Sequence, residues 1–218
     1  RFTRFTMLKR FQRDLLEYIR ENLGIYTVVT IFFLTGLLVG PILLGFLQDS
    51  QLTELGTAVS LFFEGLKNDS DIVLQPLELL KMSYRKNILL LIMLWLLGLL
   101  WMGSPFILLL LILKGFAIGF TVGFMVSHYS LKGVIFCLAA LLPHNILLVP
   151  VYLAAGATAM TFSIIKIKDR LAKKRMDKSR YFQQYCTMMF ALLVLILIGG
   201  LIEAYITPVF MELVVNII

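Results

Sequence analysis

Long apolar stretches alternate with short polar ones along the chain, and this alternation predicts helices that cross a lipid bilayer. The first stretch, residues 26–47, carries no charge and is long enough to cross a hydrocarbon core of about 30 Å. The other predicted spans are 88–103, 105–126, 134–165 and 187–207. We therefore expect an all-α polytopic transmembrane bundle of about five crossings over residues 25–218, preceded by a separate segment, residues 1–24.

The segment 1–24 is basic, with six Lys or Arg against three acids, and its apolar residues fall near helical spacing. This pattern is typical of an amphipathic helix at a cytoplasmic membrane face. A solvated lead-in that only obeys the positive-inside rule would have the same composition. Both alternatives place the N-terminus in the cytoplasm. Because no processing site of a signal peptide is apparent, we expect the first apolar helix to stay as an anchor.

Residues 48–87 are polar, with six acids against four bases, which suits an outer loop. Within this loop, apolar residues recur at steps of three and four and predict an amphipathic helix. They are Leu52, Leu55, Val59, Phe62, Phe63 and Leu66. Two alternatives stay open for this apolar stripe. It lies against the chain's own membrane helices or the lipid interface, or it is a docking face for another protein.

The apolar stretch 134–165 follows a small polar junction at residues 128–132 and is too long for one straight span. Pro143 and Pro150 in its middle allow a broken helix, a re-entrant segment followed by a span, or two short spans. Residues 166–180 carry eight Lys or Arg against two Asp, which predicts a cytoplasmic basic loop, residues 166–186. Four crossings then separate two cytoplasmic segments. This count makes 134–165 a single crossing broken at the prolines and puts the C-terminus outside.

Glycines at a spacing of four predict close approach between membrane helices, since a helix without Cβ atoms on one face admits a neighbour. Gly36 and Gly40 have this spacing in the first span. Gly115, Gly119 and Gly123 repeat it in the third. We expect both sets to lie at helix interfaces.

Composition excludes an ordinary soluble domain, since 60% of the 218 residues are apolar, 15% are charged and the mean hydropathy is +0.91. Cys137 and Cys186 have no partner at a spacing typical of metal or redox sites, and the sequence contains only two histidines. No motif of a hydrolase, a metalloprotease or a phosphate-binding loop is present. We therefore expect neither an enzyme nor a cofactor or metal site, and no nucleic-acid partner.

A few polar groups lie deep in apolar surroundings: Lys114, His144, Asn145 and Glu203. Such groups are costly within a membrane and usually find partners inside the bundle. A structural polar cluster is the interpretation we adopt. Conduction or transport, and catalysis, are the alternatives.

Three stretches together resemble the stage II sporulation protein M family. They are Lys114-Gly-Phe-Ala-Ile-Gly-Phe-Thr-Val-Gly-Phe, Leu142-Pro-His-Asn-Ile-Leu-Leu-Val-Pro150 and Ile202-Glu-Ala-Tyr-Ile-Thr-Pro208. The resemblance covers nearly the whole chain. The sequence departs from distant relatives at Asn145 and Val149, where they carry glycine and glutamate.

The resemblance implies a polytopic protein of the mother-cell or septal membrane of an endospore-forming bacterium, needed for engulfment of the forespore. It also implies that the chain anchors two peptidoglycan-degrading partners, the stage II sporulation proteins D and P. We therefore expect a membrane scaffold that recruits cell-wall hydrolases. A transporter or lipid-handling protein, with its site at Lys114 and the segment around Pro143 and Pro150, is the alternative. Besides the bilayer and these partners, self-association is an open alternative.

Overall fold

A computed structural model describes residues 22–67, 76–172 and 178–217, and in these ranges the chain is helical apart from short connections, with no strand. The basic segment predicted at the N-terminus lies almost entirely outside the described residues. The helices are α1 (Leu23–Leu43), α2 (Asp49–Lys67), α3 (Pro76–Leu99), α4 (Ser104–Ala172), α5 (Lys178–Leu201) and α6 (Thr207–Ile217). A 3-10 turn, Leu44–Phe46, extends α1, and a π-helical turn, Ile202–Ile206, joins α5 to α6. The predicted all-α fold is confirmed.

Four helical segments among the described residues are long and apolar enough to cross a membrane. They are Leu23–Phe46, Pro76–Leu99, Ser104–Asp169 and Tyr181–Val214. Large apolar side chains such as Leu38, Ile42 and Phe190 point away from the bundle and are more than 60% exposed. An apolar exterior of this kind requires lipid as its solvent, so the chain is a polytopic membrane protein.

The 66-residue segment Ser104–Asp169 reverses direction at Ser130, where the backbone has φ 51° and ψ −131°. The two arms of α4, residues 104–129 and 131–172, then run antiparallel. Ser104 Oγ donates to Ser163 Oγ at 3.1 Å, and Leu111 packs against Gly156. Each arm is long enough for one crossing at 1.5 Å per residue. The four segments therefore contain five helical stretches, each long enough for one pass.

The helix break predicted at Pro143 and Pro150 is wrong. Both prolines lie inside the second arm of α4, and the non-helical residue of α4 is Ser130. A proline removes one backbone hydrogen bond, but neighbouring helices in a membrane bundle hold the remaining turns in place. The stretch 134–165 is thus part of one long helix rather than a re-entrant segment or two short spans.

The first pass and the first arm of α4 pack backbone against backbone through a glycine seam, formed by Gly36, Gly40, Gly115, Gly119 and Gly123. A Cβ atom on Gly36 would collide with the carbonyl of Ile112, and one on Gly119 with the carbonyl of Leu37. Farther along, Gly123 lies against Pro41. Going along α1 from Gly36 to Pro41, the contacted residue of α4 moves from Ile112 to Gly123. Because both numbers increase together, α1 and the first arm of α4 run parallel.

Helix α3 runs antiparallel to α5 and parallel to the second arm of α4. Tyr185 Oη donates to the carbonyl of Trp95 at 2.7 Å, whereas Tyr84 of α3 donates to the carbonyl of Leu197 at 3.2 Å. The main apolar core lies among these helices and α1. Its fully buried members include Val29, Leu91, Leu94, Ile107, Leu148, Met189 and Ile196.

Helix α3 begins at Pro76, well before the predicted span 88–103, so the predicted outer loop 48–87 contains its first turns. Proline is well suited to the first helical position, and Glu78 in the first turn favours the positive end of the helix dipole. From residue 83 to residue 98, the buried face of α3 contains both polar and apolar side chains. The buried residues are Ser83, Asn87, Leu91, Leu94 and Gly98.

Helix α2 packs against the end of the bundle where α4 reverses, with Gly56 beside the His128 ring. Gln51 Oε1 accepts from the backbone N–H of Gln48 at 3.1 Å, which closes the start of the helix as in a capping box. Val59 packs against a second apolar core that contains Met125 and Phe136. Of the predicted stripe, Leu52 and Leu55 are half-buried like Val59, whereas the side chains of Phe62, Phe63 and Leu66 lie outside the described part. At Val59 the stripe is covered by the chain's own helices.

Candidate functional site

Glu203 lies in the π-helical turn that joins α5 to α6. The N–H of Thr207 pairs with the carbonyl of Ile202, five residues back, and the next residue, Pro208, has no N–H to offer. A π turn inserted before a proline keeps the helix going without the missing bond. The wider turn carries Glu203 on the side that faces α3. Single π turns of this kind are frequent at functional sites.

The Glu203 carboxylate binds three side chains of α3. Its Oε2 accepts from Ser83 Oγ at 2.6 Å and from Asn87 Nδ2 at 3.0 Å. Its Oε1 forms a salt bridge with Lys86 Nζ. Ser83 and Asn87 are each 1% exposed, so these hydrogen bonds are shielded from solvent. One carboxylate of the last pass is therefore bound to one turn of α3.

The hydrogen-bonded chain continues from Asn87 into α4. Asn87 Oδ1 accepts from Tyr152 Oη at 2.7 Å, and Tyr152 is fully buried. The Lys114 ammonium lies 4.8 Å from the centre of the Tyr152 ring, in cation–π contact. Together Ser83, Lys86, Asn87, Lys114, Tyr152 and Glu203 form the intramembrane polar cluster. It connects α3, both arms of α4 and the last pass.

His144 lies beside this cluster and binds the other end of the π turn. Its Nδ1 is 3.3 Å from Thr207 Oγ1, which itself donates to the carbonyl of Ile202. Its Nε2 is 3.2 Å from Asn145 Nδ2. Because the Thr207 hydroxyl proton is used and the Asn145 amide can donate, the arrangement suits a neutral imidazole with its proton on Nδ1. His144 thus bonds the second arm of α4 to α6.

The structure brings the sequence-predicted polar residues into one region, but through partners that sequence reasoning missed. The contacts of Glu203 are with α3, whereas Lys114 contacts Tyr152 and His144 contacts Thr207. The missed residues are Ser83, Lys86, Asn87 and Tyr152. The spacing of Ser83 and Asn87, four residues apart on the apolar face of α3, is the signal that could have identified them.

Chemically, the polar cluster is a clamp between helices. The carboxylate receives three donors, and the Asn87 amide uses both its oxygen and its nitrogen. An ionised carboxylate is tolerated in a membrane when cations and hydrogen-bond donors surround it. Within the described ranges, no three His, Cys, Asp or Glu side chains gather as a metal site would require. The arrangement holds helices together with polar contacts.

Comparison with known proteins identifies the family. No curated protein and no solved structure matches the chain. A family model described as Stage II sporulation protein M matches residues 29–208. The match spans α1 to the π turn and includes every residue of the polar cluster and of the glycine seam. This polytopic membrane protein therefore belongs to the stage II sporulation protein M family, whose description links it to sporulation.

Proposed function

We propose that the protein is a membrane scaffold that anchors peptidoglycan-degrading enzymes during engulfment of the forespore, and that it has no catalytic activity of its own. The partners we propose are the stage II sporulation proteins D and P. The observation that supports this role most is the saturation of Glu203 by Ser83, Lys86 and Asn87. Polar side chains that bind each other inside the bundle hold the helices together. Partner proteins would then bind the surface of the bundle.

The orientation we propose follows from the charges at the two ends of the bundle. Lys166 and Lys168 lie near the end of the second arm of α4 and the other six basic residues of 166–180 follow them in the sequence, so the positive-inside rule assigns that end to the cytoplasm. Helix α2 and the reversal at Ser130 then face outward. This orientation presents α2 on the side of the membrane where cell-wall hydrolases act.

The exposed side of α2 is the surface we propose for the partners. Since Val59 is packed against the chain's own helices, a partner has to bind the opposite face. Leu61 on that face is 62% exposed, and Thr53, Thr57 and Ser60 are exposed around it. Leu61 is therefore the apolar side chain on this face that a partner would bury.

Co-purification tests the proposal. A tagged chain is extracted in mild detergent from sporulating cells, and the two hydrolases are quantified in the eluate. We expect both to be recovered with the tagged chain. Elution of the chain alone, from extracts that contain both hydrolases, would contradict the scaffold role.

A matched pair of variants tests the surface. Leu61→Ala removes the exposed apolar side chain and should reduce recovery about fivefold, since truncation of an interface anchor costs at least about 1 kcal/mol. Thr57→Ala, one turn earlier on the same exposed face, should leave recovery unchanged. Equal recovery with both variants would move the contact away from this face of α2.

Transport is the second candidate function, and the π turn that carries Glu203 is the observation in its favour. Irregular helical turns next to charged groups bind substrates or ions in many transporters. A proton or solute flux into vesicles that contain the purified chain, abolished by Glu203→Gln, would support transport over the scaffold.

A further inference from the structure

A cleft of about 620 Å³ lies at the end of the bundle remote from Glu203, where α3 ends, α4 ends and α5 begins. Its walls are aromatic and aliphatic, with Leu99, Trp101, Phe162 and Phe182 among them. Lys166 and Asp169 are the charged side chains among the lining residues, and they lie one turn apart on α4. The cleft therefore combines an apolar surface with a cation and a carboxylate at the level where membrane helices emerge.

Lys166 is held in place by two contacts. Its ammonium donates to the carbonyl of Leu99 at 2.6 Å, at the C-terminus of α3, and lies 5.1 Å from the centre of the Phe162 ring. Phe162 is fixed in turn by stacking on Tyr185, with ring centres 4.3 Å apart and 6° between the planes. An ammonium group has three N–H donors, so a fixed Lys166 can still donate to an anion in the cleft.

The charge of this end of the molecule favours an anion. Residues 166–180 contain eight Lys or Arg and two Asp, which gives six of the chain's net charge of +7. Trp101 is 47% exposed at the mouth of the cleft, and Tyr181 also lines it. Tryptophan and tyrosine at helix ends are typical of the headgroup level of a bilayer.

We propose that this cleft binds one molecule of an anionic phospholipid. The lipid phosphate accepts from the Lys166 ammonium, and an acyl chain lies along Leu99, Leu100 and Phe182. A basic pocket between membrane helices, near their cytoplasmic ends, is a known type of site for acidic lipid headgroups. The lipid would join the ends of α3 and α4 to the start of α5. Lys166 already bonds α4 to the carbonyl of Leu99, and Ser163 Oγ donates to the carbonyl of Leu100 at 2.9 Å.

Tryptophan fluorescence provides the test. The chain has two tryptophans, and Trp95→Phe leaves Trp101 as the sole reporter beside the cleft. The purified full chain is reconstituted in vesicles of unlabelled phosphatidylcholine that contain a small fraction of brominated phosphatidylglycerol or brominated phosphatidylcholine, at 0.15 M salt. We expect half-maximal quenching at a several-fold lower fraction of phosphatidylglycerol. Equal quenching by both lipids would overturn the proposal.

Two variants separate a built site from general attraction of charges. Lys166→Gln should raise the phosphatidylglycerol fraction needed for half-maximal quenching about fivefold, which is the contribution of about one lysine at an anionic surface. Lys168→Gln removes an equal charge from an exposed position on the same helix, outside the cleft, and should change it less than about twofold. Equal losses in both variants would overturn the proposal. Lys166→Arg keeps the charge and should keep the preference for phosphatidylglycerol. A retained preference would show that the loss in Lys166→Gln comes from the missing charge and not from replacement of the lysine as such.

Discussion

Glu203 connects the last pass to α3, because its two carboxylate oxygens bind three side chains of that helix. Leucine at this position would leave Ser83 and Asn87 buried without their acceptor. Each unsatisfied buried group costs about 1–3 kcal/mol. We expect Glu203→Leu to lower the melting temperature of the purified protein in detergent and to reduce its folded yield.

Glutamine at the same position is the matched control. Its amide oxygen can still accept from Ser83 and Asn87, and only the ion pair with Lys86 is lost. The Lys86 side chain is 59% exposed and long enough to turn outward when the pair is lost, so we expect loss of the ion pair to cost less than loss of the buried hydrogen bonds. We expect Glu203→Gln to melt close to the wild type. A glutamine variant as unstable as the leucine variant would show that the charge of Glu203, rather than its hydrogen bonds, stabilises the bundle.

At the scale of helices, the glycine seam sets the distance between α1 and α4. Alanine at Gly36 would place a methyl group against the backbone carbonyl of Ile112, which has no freedom to move aside. Forcing extra volume into a packed interface costs typically about 1–3 kcal/mol. We expect Gly36→Ala to lower the melting temperature.

Gly24, in the first turn of the same helix, has nothing within 4 Å of a Cβ position. Replacing a glycine by alanine within a helix is favourable by up to about 1 kcal/mol when space allows. Gly24→Ala should therefore leave the melting temperature unchanged or raise it. If both variants shifted it in the same direction, contact at the glycine seam would not be what sets the stability.

Ser130, where α4 reverses, has a strained backbone, since its φ of 51° lies in a region that favours glycine. Holding another residue there costs about 1–3 kcal/mol. We expect Ser130→Gly to raise the melting temperature. Ser127→Gly, at an exposed helical position three residues earlier, should lower it by the helix propensity of glycine. A lower melting temperature for Ser130→Gly would contradict the reversal of α4 at this residue.

Apolar stretches and glycine spacing were sufficient to predict the helical class and the surfaces through which α1 and α4 meet. The start of α3 was missed because Lys81, Arg85 and Lys86 look like loop residues in the sequence. Lys86 pairs with Glu203, more than a hundred residues away along the chain, and Lys81 pairs with Glu78 on its own helix at 2.8 Å. A local sequence pattern does not show which residue so far away along the chain will pair with Lys86 in the folded protein.

The helix break predicted within the second arm of α4 is wrong for a related reason. Pro143 and Pro150 are strong local signals of a break, but the surrounding helices outweigh the one hydrogen bond that each proline removes. The reversal occurs in the polar junction at residues 128–132, which the sequence did mark. Its backbone angles at Ser130 follow from the packing of two arms and not from the preference of serine.

In the orientation that we propose for the protein, α2 and the basic end of α4 lie on opposite sides of the membrane. Single cysteines at Ser60 and Lys168, in a background without Cys137 and Cys186, report on the two ends. In intact cells, an impermeant thiol reagent should label position 60, and it should reach position 168 only after permeabilisation. The reverse labelling pattern would show that the proposed orientation is wrong and that α2 faces the cytoplasm.

We propose that the polar cluster stabilises a scaffold and performs neither catalysis nor transport. Engulfment in cells whose only copy carries Glu203→Gln tests this claim, because the variant keeps the hydrogen bonds of the carboxylate and removes its charge and its proton exchange. We predict that the fraction of engulfed forespores matches the wild type at equal protein levels. A block in engulfment by a folded Glu203→Gln protein that still recovers both hydrolases would contradict the claim.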